Sequence, residues 1–546
     1  MVHLAEAIAS VQAQIYSNWQ LCIADDASTD ARVRPLLEKI ATSDSRIVLT
    51  FREKNGHIAA ASKSALTLAS GDWCALLDQD DLLPPTALAF VVCEIKNYPE
   101  ARLIYSDEDK INEEGLRSDP YFKPDWNPEL FLGQNYINHL GVYHAGILRD
   151  LGGFREGFAG SQDYDLALRL IEKLRPEQVR HIPRILYHWR AIRGSLANAI
   201  DAKPDATNGA RRALTEHLQR SGIKGQVAAC RENPARHRVT YELPESPPLV
   251  SIIIPTRDRV NLLRRCVEGI REQTEYDRIE LVVVDNDSTI GSTRDYLAEL
   301  SREKDTQVLH ESGAFNYSRL NNLGAQAARG DVLAFLNNDI EVDEPGWLRE
   351  MVSPVLQPRV GAVGARLWYP NQTLQHGGVV LGLGGMAAHA FGAVPRGSRG
   401  YFDRLSLQQD CSAVTGACMI VRKDVFQETG GFDEEHFAVS YNDIDFCLRL
   451  RERGLRVILT PYANLIHHES VSRGRVRTPE ADEQFFREAA AFRKKWGAQL
   501  LSDPFYNPNL SLKAPGFALA FPPRIAPMIL PFASDVRLRS AELAPA

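Results

Sequence analysis

Short apolar runs alternate along the chain with stretches in which apolar residues recur every three or four positions. The runs Leu249–Asp258, Leu281–Val284 and Val332–Leu336 have the length and composition of buried strands. Leu4–Gln14 has the helical period and predicts an amphipathic helix. This alternation of strand and helix patterns favours an α/β fold with a mostly parallel sheet.

The same periodicities, together with proline and glycine turn signals, predict further elements. Pro84-Pro85 opens a helix, and the proline-rich tail from Pro504 is expected to be a docked arm or a disordered end. The other predicted strands span residues 21–24, 47–51, 360–367, 411–422 and 457–459. The other predicted helices span residues 58–69, 206–220, 316–329, 345–356, 443–453 and 479–495.

Acidic and amide side chains follow two of the apolar runs directly. They lie in Gly71–Asp81 and Gly330–Asp343, and Gly330 is expected to end the preceding helix. A carboxylate at the carboxyl end of a buried strand lies where open α/β sheets bind ligands. Hard divalent cations prefer such oxygen ligands, although any acidic loop has the same composition. A constant shift of 259 positions pairs Asp78 with Asn337 and Asp80 with Asp339.

The similarity between the two halves of the chain extends well beyond these strand ends. In each half an aspartate and a histidine are 25 residues apart. A repeat of this length indicates two copies of a whole domain rather than a solenoid. The matched segments are Leu21–Thr29 with Leu281–Thr289, Leu151–Leu170 with Thr429–Leu450, and Ile185–His188 with Leu465–His468.

Three further kinds of repeated polar position are candidates for chemistry. A carboxylate that ends a strand can bind a base or ribose, or can simply cap a turn. A carboxylate that opens a helix suits a general base or a plain cap. A histidine that ends a late strand is either a metal ligand or structural. The strand-end carboxylates are Asp25 and Asp285. The carboxylates that open helices are Asp163 and Asp443, and the histidines are His188 and His468.

The repeat also sets the expected domain boundaries. The first half begins at a helix and has no counterpart of Leu249–Asp258. We expect its opening strand to be encoded upstream of Met1, or the first domain to be degenerate. The proline and charge of residues 234–248 indicate a linker. The expected divisions are a first domain over 1–200, a helical linker over 201–248, a second domain over 249–475, and a C-terminal helix with a proline-rich tail over 476–546.

Composition argues against several classes of function. The net charge of −7 and pI of about 6.1 give no broad basic surface for nucleic acid. Eight cysteines without a CxxC pair favour reduced thiols in a cytoplasmic protein. Met1–Ser10 lacks the features of a signal peptide, and the most apolar long stretch, Gly377–Val394, contains six glycines and is a poor membrane span. We expect a cytoplasmic protein, with peripheral attachment to the inner face of the membrane left open.

The ordered motifs resemble those of family 2 glycosyltransferases, which have the GT-A fold. In the first half the motifs are DDASTD at Asp25–Asp30, LLDQDD ending at Asp81, and LYHWR. In the second half they are SIIIPTRDR, VVVDNDS, FLNNDIEV, TGACMIVRKDVF and HHES. The resemblance covers nearly all of residues 1–475 and is greatest to tandem enzymes that assemble O-antigen and other surface polysaccharides. It implies two tandem α/β GT-A domains with mostly parallel sheets, the first lacking its opening strand.

The resemblance also implies a cofactor, Mn²⁺ or Mg²⁺, and roles for particular residues. The second half has an asparagine, Asn337, where the family often has aspartate. The implied nucleotide contacts are Asp285, Asn286, Asp25 and Asp26. The implied contacts to the donor diphosphate and its metal are Asn337, Asp339, Asp78 and Asp80, with His468 and His188 as further metal ligands. The implied catalytic bases are Asp443 and Asp163.

These implied roles predict a metal-dependent, inverting glycosyltransferase. The expected donor is a UDP-, dTDP- or GDP-sugar, and the expected acceptor is a growing glycan or lipid-linked glycan. One alternative is a non-catalytic scaffold that binds sugar nucleotides or glycans, at least for the first domain. A second alternative is a metal-dependent nucleotidyltransferase, but Pro255–Val260 has no glycine to form the expected triphosphate loop.

Overall fold

Two structural units share the chain. The computed structural model describes residues 1–191, 204–468, 478–513 and 515–525. The first unit contains Met1–Trp126 and Gln134–Ile223, and the second contains Asn127–Gly133 and Lys224–Pro523. The short segment Asn127–Gly133 therefore belongs to the second unit, although the residues on both sides of it belong to the first.

The secondary structure follows the predicted alternation of strands and helices. Up to residue 220 the elements are α1 Val2–Gln12, β1 Leu21–Asp25, α2 Val33–Ser43, β2 Ile47–Phe51, α3 His57–Leu68, β3 Trp73–Ala75, α4 Ala87–Asn97, β4 Leu103–Ile111, β5 Arg117–Tyr121, α5 Pro128–Gly133, β6 Gly141–His144, α6 Ala145–Asp150, α7 Gln162–Ile171, β7 Val179–Arg190 and α8 Pro204–Arg220. From residue 225 they are β8 Gly225–Ala229, β9 His237–Tyr241, β10 Val250–Thr256, α9 Val260–Gln273, β11 Ile279–Asp285, α10 Gly291–Leu300, β12 Thr306–His310, α11 Tyr317–Ala327, β13 Val332–Leu336, β14 Ile340–Val342, α12 Trp347–Val355, β15 Val360–Trp368, β16 Leu374–His376, β17 Val379–Leu381, β18 Ala387–His389, β19 Gln409–Asp410, β20 Cys418–Arg422, α13 Lys423–Thr429, α14 Asn442–Glu452, β21 Arg456–His467 and α15 Pro479–Trp496.

The sheet of the second unit is built around β10. This strand pairs in parallel with β11 on one side and with β13 on the other, and all seven of its residues are buried. Within the described residues the strand order is β12-β11-β10-β13-β20-β15-β21-β14, with β16 beside β15 and β19 beside β21. Because β10, β11 and β13 run in one direction, their carboxyl ends lie at the same end of the sheet.

Alternate residues of β10 lie in two hydrophobic cores, one on each face of the sheet. Ile252 and Ile254 share a core with Leu263 of α9. Ile253 lies in the other core, together with Phe335 of β13. A strand that is covered on both faces needs apolar residues at nearly every position, which explains the continuous apolar run.

Gly330 precedes β13 because a side chain there would collide with the chain at β10. A Cβ atom at this position would lie 2.5 Å from the Leu249 carbonyl oxygen and 2.6 Å from Ser251 Oγ. The Gly330 amide instead donates a hydrogen bond to Ser251 Oγ at 2.8 Å. The preceding helix, α11, already ends at Ala327, so the glycine permits a close approach of two segments rather than ending the helix.

The first unit repeats this arrangement without a described strand in the place of β10. Among its described residues, β1 and β2 form a separate two-stranded parallel sheet, while β3, β6, β4 and β5 form another sheet in which β7 pairs with β4. All five residues of β1 are only half-buried, whereas six of the seven residues of its counterpart β11 are buried. In the second unit β10 joins β11 and β13 into one sheet. In the first unit no described strand joins β1 and β3, and these two strands belong to separate sheets.

Two predicted strands have different bounds in the structure. The run 411–422 is a strand only over β20, because the chain turns before it and Gly416 donates its amide proton to Asp443. The run 457–459 is the beginning of the longer strand β21, which pairs with β15 and β14. The pairing with β15 skips residues 461–463, which include a proline that has no N–H to donate.

Two other regions of the second unit contain more structure than the sequence predicts. The stretch 234–248, interpreted as a linker, contains β9, which pairs with β8 and buries every second residue. The described part of the proline-rich tail lies against the second unit, where the Gly384 amide donates to the Leu512 carbonyl at 2.9 Å. Of the two expectations for the tail, the docked arm fits this described part.

The segment Asn127–Gly133 supplies a buried carboxylate to the second unit. Glu129 accepts hydrogen bonds from the Tyr241 hydroxyl and from Arg456 Nη1, each at 3.0 Å. Arg456 also lies 3.3 Å from Asp410, and the Glu129 amide donates to Asp410 at 3.1 Å. Burial raises the pKa of Asp410 to about 6, although the charge of Arg456 opposes that shift. Residues distant in sequence therefore share one buried charge network.

The cysteines are unpaired, and no described helix spans a membrane. All eight cysteines lie within the described residues, and each is a free thiol. Burial raises the pKa of the Cys411 thiol. None of the helices in the described ranges combines the length and the apolar character needed to cross a lipid bilayer.

The contact between Gly330 and the start of β10 predicts a specific effect on stability. We expect Gly330→Ala to lower the free energy of unfolding by about 1–3 kcal/mol, because a backbone carbonyl must move to admit the methyl group. Gly291→Ala, at the open first position of α10, is the matched control and should change it by less than about 1 kcal/mol. Urea unfolding of both variants measures the difference, and equal midpoints would contradict the close approach.

Candidate active site

The carboxyl ends of β10, β11 and β13 are joined by hydrogen bonds at Thr256. Asn338, which follows β13, donates from Nδ2 to Thr256 Oγ1 at 2.9 Å. The Asn286 amide, directly after β11, donates to the Thr256 carbonyl at 2.8 Å. All three residues are buried. The polar positions that follow these strands therefore lie close together.

The end of β11 presents one carboxylate and one amide to this region. Asp285 is buried and accepts a hydrogen bond from the Ser288 amide at 3.2 Å, and His310 Nδ1 lies 3.2 Å from its other oxygen. Asn286 donates from Nδ2 to the Gly313 carbonyl at 3.3 Å. Its Oδ1 atom is buried and has no hydrogen-bond partner among the described residues. This acceptor is available to an N–H group of a ligand, such as that of a nucleotide base.

Asp339 and His467 face each other beyond the end of β13. Asp339 Oδ1 lies 3.1 Å from His467 Nε2, and the two side chains are only 3% and 9% exposed. His467 Nδ1 lies 2.8 Å from Gln375 Oε1, which accepts the hydrogen bond from that nitrogen. Asn337 Nδ2 lies 3.4 Å from His467 Nε2. A carboxylate oxygen and an imidazole nitrogen this close together form an ion pair when the ring is protonated, and when it is neutral they can both bind a cation.

His468, the histidine that the sequence repeat selects, contacts a different group. Its Nε2 lies 2.7 Å from Glu341 Oε2 and 3.2 Å from Arg265 Nη1. Its contact with Asp339 is through the backbone, where the His468 amide donates to the carbonyl at 3.0 Å. Adjacent residues of a strand point to opposite faces, so His467 and His468 are directed differently. The structure therefore places His467, and not the predicted His468, beside the carboxylate.

Asp443 lies in the first turn of α14 and accepts two backbone hydrogen bonds. Its Oδ1 accepts from the Ile444 amide and its Oδ2 from the Gly416 amide, each at 2.8 Å. The next residue, Ala417, accepts a hydrogen bond from the Asn337 amide at 3.1 Å. The turn before β20 thus connects Asp443 to the end of β13. The first turn of a helix is also a favourable place for a carboxylate.

Three side chains beside this site were not predicted from the sequence: the buried Gln375 and His376, and the half-buried His389. His376 Nε2 accepts from the Thr415 amide at 3.4 Å, and its ring lies 4.6 Å from that of His389. Burial lowers the pKa of His376, and the proximity of the His389 and His467 rings lowers it further. Gln375 and His467 are 92 residues apart in sequence, so local spacing carried no signal of their contact.

The sheet register of the first unit corrects the alignment of the two halves at β7. Leu82 forms an antiparallel bridge with His188 of β7. In the second unit Glu341, which lies 259 positions after Leu82, pairs with Ile466 of β21. His188 therefore corresponds to Ile466 in the sheet. The sequence repeat pairs His188 with His468 instead, which lies two residues further along the chain than Ile466.

By this register, Trp189 of the first unit corresponds to His467 of the second. Trp189 follows His188 on β7, as His467 follows Ile466 on β21. Tyr187 lies two residues before Trp189 and so on the same face of β7. Its hydroxyl donates to Asp81 at 2.6 Å and accepts from the Asp78 backbone amide at 3.3 Å. Burial raises the pKa of Asp81 to about 7. The acidic strand end is thus present in both units, but the first unit has no histidine at this position.

Two other predicted site residues of the first unit, His188 and Asp163, have hydrogen-bond partners in the protein. His188 Nδ1 lies 2.6 Å from Asp109 Oδ1, so the predicted metal ligand is oriented by a carboxylate of β4. Asp163 opens α7 and accepts from Asn135 Nδ2 at 3.1 Å. Asp80 is half-buried and lies at the position of Asp339 in the second unit. These side chains therefore occupy the expected elements, but His188 does not repeat the geometry of His467.

The carboxylates at the end of β1 are engaged locally. Asp25 accepts a hydrogen bond from the Ser28 hydroxyl, as a turn-capping aspartate does. Asp26 accepts from Arg52 Nε at 2.8 Å and from the Gly56 amide at 3.0 Å. Both contacts hold the loop that follows β1.

Two side chains of the second unit can provide part of a coordination shell for a divalent cation. Asp339 provides an oxygen and His467 a nitrogen, whereas Asp78 and Asp80 of the first unit provide oxygens alone. No group of three or more histidine, cysteine, aspartate or glutamate side chains suited to a metal occurs among the described residues. Diphosphate oxygens and water would complete such a shell, as is usual for cations bound at a nucleotide. The residues of the second unit fit the expected cofactor on this basis.

Comparison with known families identifies the chain. The model of "Glycosyl transferase family 2" matches residues 3–152 and 251–430, and that of "Glycosyl transferase family group 2" matches residues 373–531. The fold and the matched ranges define a two-domain α/β protein of the GT-A class. The chain belongs to glycosyltransferase family 2. The family and fold class predicted from the sequence are thereby confirmed.

Two relatives match almost the whole chain. The protein y4gI of Sinorhizobium fredii is 47% identical over 520 residues, which are 95% of this chain and 57% of that protein. The O-antigen biosynthesis protein RfbC of Myxococcus xanthus is 40% identical over 514 residues, which are 94% of this chain and 39% of that protein. The chain thus spans less than two thirds of the length of either relative.

Solved structures resemble parts of the chain. A crystal structure of GalNAc-T7 with UDP, GalNAc and Mn²⁺ is 18% identical, covers 42% of this chain and 45% of that chain, and has a TM-score of 0.37. The mannosyltransferase PcManGT from Pyrobaculum calidifontis, with GDP-Man and Mn²⁺, is 17% identical, covers 47% of this chain and 78% of that chain, and has a TM-score of 0.32.

The different placement of the two adjacent histidines predicts different effects on metal binding. We expect His467→Asn to weaken the binding of Mn²⁺ at least about tenfold, because it removes the nitrogen that faces Asp339. His468→Asn is the matched control and should leave Mn²⁺ affinity unchanged, since its ring contacts Glu341. Isothermal titration calorimetry with MnCl₂ in the presence of UDP or GDP measures both. Weakening by the His468 variant alone would restore the assignment made from the repeat.

Proposed function

We propose that the chain transfers a sugar from a nucleoside diphosphate sugar to a growing surface polysaccharide, with inversion at the anomeric carbon. The second unit performs this transfer. The observation that carries the proposal is the placement of Asp285, Asp339 and Asp443 on strand and helix ends that are joined by short hydrogen bonds. Family membership supplies the reaction class, and these side chains supply the acid–base and binding groups that it needs.

The nucleotide of the donor binds at the end of β11. The Asn286 Oδ1 atom, which has no hydrogen-bond partner within the described residues, can accept an N–H of the base. Asp285 can accept from a base or a ribose hydroxyl, and its contact with the Ser288 amide keeps it in place. This arrangement suits the UDP-, dTDP- and GDP-sugar donors expected from the sequence.

Asp443 acts as the general base. Its two backbone hydrogen bonds fix the carboxylate, and the acceptor hydroxyl transfers its proton to one carboxylate oxygen. The hydroxyl oxygen forms a bond to the anomeric carbon as the bond from that carbon to the diphosphate oxygen breaks. The bonding electrons leave with the diphosphate. Attack from the face opposite the leaving group inverts the configuration.

Asp339 and His467 hold the divalent cation, Mn²⁺ or Mg²⁺, with Asn337 beside them. When bound, the cation supplies a positive charge that stabilises the leaving diphosphate. The burial of Asp339 and His467 strengthens their electrostatic interaction with that charge, because little water screens it. His467 replaces His468 in this assignment for the geometric reason given above.

The acceptor is a glycan or lipid-linked glycan of a cell-surface polysaccharide such as O-antigen. The name of the Myxococcus xanthus relative supports this class of product. That relative is more than twice as long as the matched region, so activities of its remaining part are not implied for this chain.

The first unit has a second candidate role, in binding a sugar nucleotide or glycan without transfer. Trp189 stands at the place of His467, and β1 and β3 belong to separate sheets among the described residues. Two results together would support this role. Nucleotide binding would persist in Asp339→Asn but be lost in Asp80→Asn, and Asp80→Asn would leave sugar transfer unchanged.

The proposed role of Asp443 predicts a loss of turnover. We expect Asp443→Asn to lower kcat by roughly 10²- to 10⁴-fold with little change in donor KM, because the amide cannot accept the proton. Transfer is measured with radiolabelled sugars from a panel of UDP-, dTDP- and GDP-sugar donors. Asp424→Asn is the matched control, since Asp424 also lies in the first turn of a helix but is exposed. Full activity of the Asp443 variant would refute the assignment.

A further inference from the structure

We infer that Glu488 of α15 is a positioning residue for Asp443, and that the loss of its carboxylate lowers turnover without weakening donor binding. This inference rests on the proposed function, because it concerns the base assigned there. Glu488 lies on the helix that follows the second repeat, outside the repeated motifs, and is only 3% exposed. A buried carboxylate requires hydrogen-bond donors, and the identity of those donors indicates its role.

Glu488 accepts hydrogen bonds from the backbone that leads into α14. Its Oε2 accepts from the Ser440 amide at 2.5 Å and from the Val439 amide at 3.3 Å. Its Oε1 accepts from Gln484 Nε2 at 2.8 Å. Hydrogen bonds to an ionised carboxylate are stronger than those between neutral groups. The carboxylate therefore fixes the chain three residues before Asp443.

The residue between this contact and α14 has a strained backbone. Tyr441 directly precedes the helix and has a φ of 63°, in the left-handed region that a tyrosine adopts only at a cost. Such a conformation persists when surrounding contacts hold it. The Tyr441 ring stacks on that of Phe492 of α15, with the ring centroids 4.9 Å apart. The helix α15 thus holds both the backbone before the turn and the side chain within it.

These contacts come from one face of α15. Glu488, Phe492 and Trp496 are four residues apart, so they lie on the same side of the helix, and all three are buried. Trp496 Nε1 donates to Asp445 Oδ1 at 2.8 Å. The row of three side chains therefore contacts the chain on both sides of Asp443.

The first unit holds the corresponding turn in a different way. Its helix α8 follows the first repeat, and Ser161, which directly precedes α7, donates from its hydroxyl to the Ala206 carbonyl of α8 at 2.6 Å. There a hydroxyl of the loop contacts the helix backbone, whereas in the second unit a carboxylate of the helix contacts amides of the loop. The contact of Glu488 belongs to the unit to which transfer is assigned.

A displacement of α14 would affect the base and not the nucleotide site. Asp443 moves with the first turn of α14, whereas Asp285 and Asn286 lie at the end of β11. A misplacement of about 1 Å at a reacting group can lower the rate about 10²-fold. The loss of the Glu488 carboxylate should therefore lower kcat and leave nucleotide affinity unchanged.

The experiment compares Glu488→Leu with Glu488→Gln, which keeps one oxygen that can accept from the Ser440 amide. Transfer by the whole chain is measured with the labelled donor that gives turnover, and binding of UDP or GDP is measured by calorimetry with MnCl₂. We expect Glu488→Leu to lower kcat about 10²-fold and to change nucleotide affinity less than about twofold, and Glu488→Gln to recover most of the loss. Glu483→Leu, at an exposed glutamate of the same helix, is the matched control and should change neither.

Coupling to Asp443 separates positioning from a structural role. In the Asp443→Asn background the base is already absent, so Glu488→Leu should lower kcat no further. Circular dichroism and the thermal midpoint establish that each variant is folded at the assay temperature.

Two results would overturn the inference. One is full turnover by the folded leucine variant. The other is a loss of the same size in the Asp443→Asn background, which would show that Glu488 acts independently of the base. Failure of the proposed function is distinguishable, because it would appear as full activity of Asp443→Asn alone. If the leucine variant does not fold, Glu488→Asp, whose carboxylate is one methylene shorter, gives the same comparison with an expected loss of about tenfold in kcat.

Discussion

The pairing of β10 on both sides is the constraint on which the second unit depends. Because β11 and β13 both run parallel to it, three strands finish at one end of the sheet. All seven residues of β10 are buried, and the first polar connections to its neighbours form at Thr256. Polar side chains are costly within such a core and are therefore concentrated just beyond it. The first unit shows the converse, since its β1 and β3 lie in separate sheets among the described residues.

The electrostatic character of the site follows from the order of residues along two strands. Asp339 and His467 are nearly inaccessible to water, and Asp339 Oδ1 lies 3.1 Å from His467 Nε2. His468 is adjacent in sequence but interacts with Glu341 and Arg265. A change of one position along β21 thus separates a group that can coordinate a cation from a group in an ion-pair cluster. The two halves of the chain differ in this respect although their acidic strand ends are alike.

The sequence was sufficient for elements that have a local pattern. Val332–Leu336 and Ile47–Phe51 are strands with the predicted bounds, because a continuous apolar run is a property of neighbouring residues. It was not sufficient for β21, where two adjacent histidines made the face ambiguous and the repeat selected His468 rather than His467. Gln375 contacts His467 across 92 residues of sequence, so its part in the site depends on tertiary pairing. The predicted roles of Asp285 and Asp443 stay predictions, although the structure brings both to the expected elements.

Because Asn127–Gly133 belongs to the second unit, the boundary between the units differs from the boundary between the sequence repeats. This difference limits how the two repeats can be separated or exchanged during evolution. A gene segment that begins at the second repeat would omit Glu129, and Tyr241 and Arg456 would lose the carboxylate that they share. The second half is therefore incomplete by itself, because the buried Glu129 of the second unit is encoded in the first half. Recombination that exchanged one half for a foreign one would have to carry this heptapeptide along or replace its buried charge.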